Sequence, residues 1–70
     1  MMPLTMANAG EENIIKKVGG KEDTRRFLEN LCFVVGAAVT VISQVEGNII
    51  VNIKDSRVAI GKDMANKIMV

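Results

Sequence analysis

Cys32 is the only cysteine of this 70-residue chain and the residue most easily imagined to do chemistry. A cysteine nucleophile usually works beside a histidine base, and the sequence contains no histidine. A thiol can also be activated at a helix N-terminus or beside cations. Cys32 instead follows a segment with helical periodicity, where the helix dipole disfavours a thiolate. We therefore expect no catalysis by Cys32, and the chain is not expected to be an enzyme.

The sequence also offers few residues that could bind a metal ion or a cofactor. A structural zinc or iron–sulfur site needs several thiolates or imidazoles, which one cysteine and no histidine cannot supply within one chain. The carboxylate pairs at 11–12 and 22–23 lack the spacing of a calcium loop and suit a solvated turn and a helix start. The glycines lie at element boundaries and form no phosphate-binding loop. We expect no bound metal and no cofactor.

Composition and charge limit the cellular locations and the kinds of partner that the protein could have. Seventy residues suffice for one small domain, expected over residues 1–70 with residues 1–3 flexible. A net charge of +1 disfavours nucleic acid as a partner. No apolar run reaches the roughly 18 to 20 residues that span a bilayer, and the N-terminus lacks the pattern of a signal peptide. With a single cysteine, these features predict a cytoplasmic protein without membrane insertion.

Two periodic segments form the first half of the chain. "ENIIKKV", residues 12–18, is rich in β-branched residues and stops at two glycines, which predicts a strand. Residues 21–31 then change to a helical period, which predicts an amphipathic helix. The residues on one side of this helix are Thr24, Phe27, Leu28 and Leu31. Since Phe27 and Phe33 are the only aromatic residues, we expect Phe27 in the core, and Phe33 with it.

The second half of the chain alternates with a period of two, which predicts a meander of strands. Residues 37–45 and 48–54 are the first two strands, joined by a tight turn at Gly47. Their predicted core-facing residues are Val39, Val41 and Val45, then Ile49, Val51 and Ile53. The opposite face of the first strand carries Thr40 and Gln44. A turn at 55–56, a strand over 57–60, a helical turn within 61–67 and a last strand over 68–70 complete the pattern.

About five short strands and one helix inserted after the first strand make up the predicted fold. A small chain of this kind hides its strand edges by curling into a barrel. We therefore predict a mainly β fold with a short inserted helix, an SH3-like β-barrel. Any edge that stays exposed leaves self-association open. Without Tyr or Trp, the barrel lacks an aromatic groove for proline-rich peptides, and it lacks exposed rings for stacking nucleic-acid bases.

The surface remains as the place where function could lie. Arg25 and Arg26 occupy the outer side of the predicted helix, and Val34 and Val35 lie in the loop after it. These residues fit an ordinary solvated face with a loop folded back on the core. The alternative that they leave open is an edge that docks on another protein.

Three segments, in this order, resemble the FeoA family of small cytoplasmic accessory proteins of bacterial ferrous iron uptake. They are "LTMANAGEENIIKKVGG", "RRFLENLCFVVGAAVTVI" and "GNIIVNIKDSRVAIGKDMANKIMV", and together they cover residues 4–70. They resemble the family's opening strand, its arginine-led helix with the following valine strand, and its closing meander. The sequence departs from the family pattern at Cys32 and Val35, where glycine and proline are usual, and at Ala7, where a larger apolar residue is common.

The resemblance implies an SH3-like barrel without catalysis that docks on FeoB, the membrane ferrous iron transporter, at its cytoplasmic part with the GTP-binding domain. By position, the expected contact residues are Arg25, Arg26, Glu29, Val34 and Arg57. An alternative is a free-standing relative of the SH3-like C-terminal domain of iron-dependent repressors, which would bind a regulatory protein or a peptide. A nucleic-acid-binding barrel is a third possibility, and it predicts salt-dependent binding that the near-neutral charge disfavours.

Overall fold

The computed structural model describes residues 1–70, which form six strands and two helices. The strands are β1 (Glu12–Ile14), β2 (Lys17–Val18), β3 (Ala38–Val45), β4 (Asn48–Ile53), β5 (Ser56–Gly61) and β6 (Ile68–Met69). The helices are α1 (Glu22–Asn30) and α2 (Lys62–Ala65), and a 3-10 turn occupies Leu4–Met6. All strand pairs are antiparallel, with β1-β3-β4-β5 in one sheet and β2-β6 in the other. The prediction of a mainly β fold with a short helix is confirmed.

The predicted first strand, residues 12–18, is divided between the two sheets. The amide of Ile15 donates to the carbonyl of Ala37 (2.9 Å), on the β3 side, and the next amide, Lys16, donates to Met69 (2.7 Å), on the β6 side. The chain therefore changes sheet within one residue, which gives six strands where about five were expected. The barrel stays open, because β5 pairs only with β4.

The core is entirely apolar. All fourteen buried residues are aliphatic except for one aromatic, Phe33, and no polar or charged residue is buried. The alternation of β4 is as predicted, with Ile49, Val51 and Ile53 at most 2% exposed. Since no buried polar group needs a partner, the fold depends on packing and on the strand ladders.

The predicted alternation of β3 fails near its end, because the register between β3 and β4 shifts after Val41 at a β-bulge. Val39 and Val41 are buried as predicted, but Val45, predicted on the same face, is 52% exposed. Gln44, predicted on the opposite face, donates from its side-chain amide to the backbone oxygen of Thr5 in the 3-10 turn (3.3 Å). A bulge exchanges the two faces of the strand beyond it, so both predictions were wrong for one reason.

The turn between β4 and β5 consists of Lys54 and Asp55, one residue earlier than predicted. Both have positive φ, +49° and +63°, and Ile53 lies opposite Ser56. These are the features of a two-residue type I′ hairpin turn, which matches the twist of the flanking strands. This turn therefore determines which backbone groups of β5 face β4.

The N-terminal segment lies beside the last strand. Met2 and Val70 exchange two backbone hydrogen bonds of 2.9 and 2.8 Å, and Pro3 forms a bridge with Met69. The expected flexibility of residues 1–3 and their inclusion in a single domain over residues 1–70 stay predictions. Neither helix is long and apolar enough to cross a membrane.

Candidate docking surface

Helix α1 presents its charged side to solvent. Glu22 and Asp23 occupy the first turn, where negative charge is favourable, and Leu28 is the only fully buried residue of the helix. Arg26 forms an ion pair with Glu22 (3.0 Å), in which both side chains are more than half exposed. An exposed i,i+4 pair contributes only about 0.3–0.5 kcal/mol, so these charges add little to the stability of the fold.

The helix ends in a Schellman motif with Cys32 at its left-handed position, φ +74°. The Cys32 N–H donates to the carbonyl of Glu29 and the Phe33 N–H to that of Leu28, both at 2.9 Å. Leu28 and Phe33 are fully buried members of one core, as expected for the apolar pair that accompanies this motif. The prediction that Cys32 marks the end of the helix is confirmed.

The loop after the helix is held in place by backbone hydrogen bonds. The Gly36 N–H donates to the carbonyl of Ile15 (2.8 Å), and the Ile15 N–H donates to Ala37 (2.9 Å). Gly36 has φ +93°, a conformation that glycine adopts without strain. Val34 and Val35, which precede it, are 37% and 66% exposed. These valines are therefore displayed by a loop that is fixed to the point where the chain changes sheet.

Phe27 was predicted in the core, and the structure corrects this: its side chain is 48% exposed. A helix of nine residues buries a narrow stripe, and the adjacent Leu28 occupies the buried position. Phe33 supplies the aromatic ring of the core instead. Sequence reasoning missed Phe27 as a surface residue, because the helical pattern places it on the same side as the buried Leu28.

Six of the exposed residues of α1 and the loop after it are grouped under the name α1-loop surface. Its members are Arg25, Arg26, Phe27, Glu29, Val34 and Val35. The charged members, with Glu22, line a shallow groove that has no apolar lining residue. Such a groove suits charged groups of another protein better than an apolar small molecule.

Four of the five predicted contact residues, Arg25, Arg26, Glu29 and Val34, thus lie in two consecutive segments. Arg57 does not join them. It lies on β5 opposite Asn52, in a row that continues through Thr40 to Glu12. At about 4.8 Å per strand, Arg57 is about 14 Å from β1, across the full width of the sheet.

Nowhere in the 70 residues do three or more His, Cys, Asp or Glu side chains come together as a possible metal site.

Comparison with known proteins finds consistent similarities. The family model described as "FeoA domain" matches residues 2–70. A protein of Methanocaldococcus jannaschii named "Putative Fe(2+) transport protein A" is 37% identical over 70 residues, which are all of this chain and 85% of that protein. A crystal structure described as "Iron Uptake Regulatory Protein (FeoA)" has a TM-score of 0.89 at 29% identity and covers 97% of this chain and 90% of that one.

A second solved structure, with a lower sequence identity, shows similarity of fold alone. A protein described as "Manganese-dependent transcriptional repressor" has a TM-score of 0.85 at 19% identity, over 94% of this chain and 38% of that one. The predicted SH3-like fold, shared with part of a metal-dependent repressor, is confirmed.

Proposed function

Because this chain belongs to the FeoA family, we propose that it is a cytoplasmic, non-catalytic accessory protein of ferrous iron transport that docks on the cytoplasmic part of a FeoB-type transporter. The observation that carries the docking proposal is the exposure of Phe27, Val34 and Val35 on a charged helix and on the hydrogen-bonded loop that directly follows it. Protein interfaces combine an apolar centre enriched in aromatic residues with a polar rim. The α1-loop surface has both parts.

The apolar residues supply the binding energy in this proposal. Covering the exposed half of the Phe27 ring is worth about 1 kcal/mol, and the two valines add to this. The loop is already fixed by the hydrogen bonds of Gly36 and Ile15, so docking does not have to order it. Preorganised surfaces lose less entropy on binding and bind more tightly for the same contact area.

The charged residues give the interaction its orientation. Arg25, Arg26 and Glu29 form the polar rim, and their exposure lets them exchange water for partner groups at little cost. Such rim charges change the association rate and its salt dependence more than the affinity. The net charge of +1 further favours a protein partner over a nucleic acid.

The experiment is an NMR titration of the labelled protein with the soluble cytoplasmic domain of its FeoB-type transporter. We expect shift changes to cluster in residues 25–35. Two matched variants sharpen the test, because Val35 and Val45 are both exposed valines, 66% and 52%. Val35→Ser should weaken binding about 5-fold or more, given about 1 kcal/mol of lost apolar contact, whereas Val45→Ser should leave it unchanged.

Two results would contradict the proposal. One is the absence of shift changes at high micromolar partner concentration. The other is equal weakening of binding by Val35→Ser and Val45→Ser, since binding would then not depend specifically on the α1-loop surface.

The likeness to a repressor favours a second candidate, a free-standing SH3-like module that binds a regulatory protein or a peptide. The same titration, with a winged-helix repressor in place of the transporter domain, tests it. Shifts with the repressor alone would favour this candidate, and shifts with the transporter domain alone would exclude it.

A further inference from the structure

Strand β5 is the longest strand edge of the molecule without a neighbour. The outer side of β6 is covered by Met2, which exchanges hydrogen bonds with Val70. At the other end of the main sheet, β1 is only three residues long. The six residues of β5, Ser56–Gly61, pair with β4 on one side and with no strand on the other.

The hairpin turn determines which backbone groups of β5 point outward. In a two-residue hairpin the closing pair, here Ile53 and Ser56, exchanges both hydrogen bonds, and every second pair after it does the same. Val58 and Ile60 therefore bond to β4, while Arg57 and Ala59 turn their N–H and C=O groups away from it. No turn, loop, cap or side-chain hydrogen bond of the chain uses these groups.

This edge lacks most of the features that protect strand edges. Natural edges are blocked by proline, bulges, covering segments or inward charges. In β5 the pairing with β4 is regular over six residues, and no proline is present. Its centre is Ala59, which is exposed and small, and its end is Gly61. Arg57 is the only charged residue of the strand.

We propose that β5 pairs antiparallel with β5 of a second copy of this chain, about a twofold axis at Ala59. The outward N–H of each Ala59 then donates to the C=O of the other Ala59, and the two four-stranded sheets become one eight-stranded sheet. Arg57 faces Gly61 of the second copy, so no two arginines oppose each other. This inference does not depend on the proposed function, because β5 carries no residue of the α1-loop surface.

The near-neutral charge favours a second copy as the occupant, and the small interface predicts a weak dimer. With a net charge of +1, two copies repel each other very little. A single strand pair buries less than the roughly 1,200–2,000 Å² of a stable interface. We therefore expect a dissociation constant on the order of 100 μM, with dimer at high concentration and monomer at low concentration.

Sedimentation velocity of the full chain between about 10 μM and about 1 mM tests the proposal. We expect a concentration-dependent monomer–dimer equilibrium. Ala59→Lys and Ala59→Glu should each weaken dimerisation about 10-fold, because like charges then lie directly opposite each other. An equimolar mixture of the two variants should restore a dimer, since opposite charges then face each other. Val45→Lys, an exposed change on β3 opposite the uncharged Asn48, is the matched control and should dimerise like the parent.

A second readout is hydrogen exchange at single amides. The Ala59 amide should exchange more slowly as concentration rises, whereas the amide of Asn13, on β1 at the opposite edge of the sheet, should not change. A chain that stays monomeric at all concentrations would overturn the proposal, as would a dimer that neither Ala59 variant weakens. A wild type that stays monomeric but binds an extended peptide along β5 would overturn it in favour of another protein as the occupant.

Discussion

On the inner face of β4, Ile49, Val51 and Ile53 are at most 2% exposed, whereas on the α1-loop surface Phe27 and Val35 are 48% and 66% exposed. Both regions are held by backbone hydrogen bonds, and they differ in what packs over their side chains. The inner face is closed by packing on every side, and the α1-loop surface has apolar side chains with nothing packed over them. The difference indicates that the first region maintains the fold and that the second is available to a partner.

The two phenylalanines offer the sharpest test of this comparison. Phe33 is fully buried and Phe27 is half exposed. Phe33→Ala should lower the free energy of unfolding by about 3–5 kcal/mol, since it leaves a cavity in a small core. Phe27→Ala should cost less than about 1 kcal/mol. Urea unfolding followed by circular dichroism measures both, and equal losses would remove the distinction between the two regions.

Two glycines allow a backbone position with close neighbours to be compared with one that has none. Gly20 and Gly36 have similar φ, +94° and +93°. A Cβ at Gly20 would lie 2.8 Å from Cδ of Lys67 and 3.2 Å from Cγ2 of Thr24, whereas one at Gly36 would have no neighbour within 4 Å. Gly36→Ala should therefore cost about 1 kcal/mol for backbone strain alone.

Gly20→Ala should cost about 1–2 kcal/mol, because Thr24 must give way and this steric repulsion adds to the same strain, whereas the flexible Lys67 side chain can move aside. The difference in unfolding free energy between the two variants measures that repulsion. A larger loss of unfolding free energy for Gly36→Ala would contradict the finding that a Cβ at Gly36 has free space around it.

Cys32 stands at the junction between the two regions. Its φ of +74° is a conformation that glycine adopts without strain, so Cys32→Gly should raise the free energy of unfolding by up to about 1 kcal/mol. Binding to the transporter domain should be unchanged. A folded variant that no longer binds would show that the thiol has a role beyond the end of the helix.

The smallest effect is expected from the ion pair on α1. Arg26→Ala removes the contact with Glu22 and should lower stability by less than about 0.5 kcal/mol, with the difference vanishing at high salt. The effect of Arg26→Ala on docking should be larger than its effect on stability. It should appear mainly in the association rate, which stopped-flow mixing measures. Arg57→Ala, a matched change on β5, should leave that rate unchanged if docking is confined to the α1-loop surface.

Local signals explain what could be predicted from the sequence. The period of two in β4 and the end of the helix before Cys32 depend on neighbouring residues, and both predictions were confirmed. The bulge after Val41 and the exposure of Phe27 depend on tertiary packing, which a periodic pattern does not contain. Arg57, also predicted as a contact residue, lies on the edge strand β5 and not in α1 or the loop after it, and its role in docking stays a prediction.

The change of sheet at Ile15 and Lys16 should also couple local unfolding of the loop to that of the small sheet. Ile15 is bonded to the loop that carries Val35, and Lys16 is bonded to β6, so the two attachments are one peptide unit apart. Opening either attachment strains the other, which makes the loop and the small sheet one cooperative unit of local unfolding. A partner that binds the loop would then slow hydrogen exchange at the Lys16 amide, although Lys16 itself lies outside the contact.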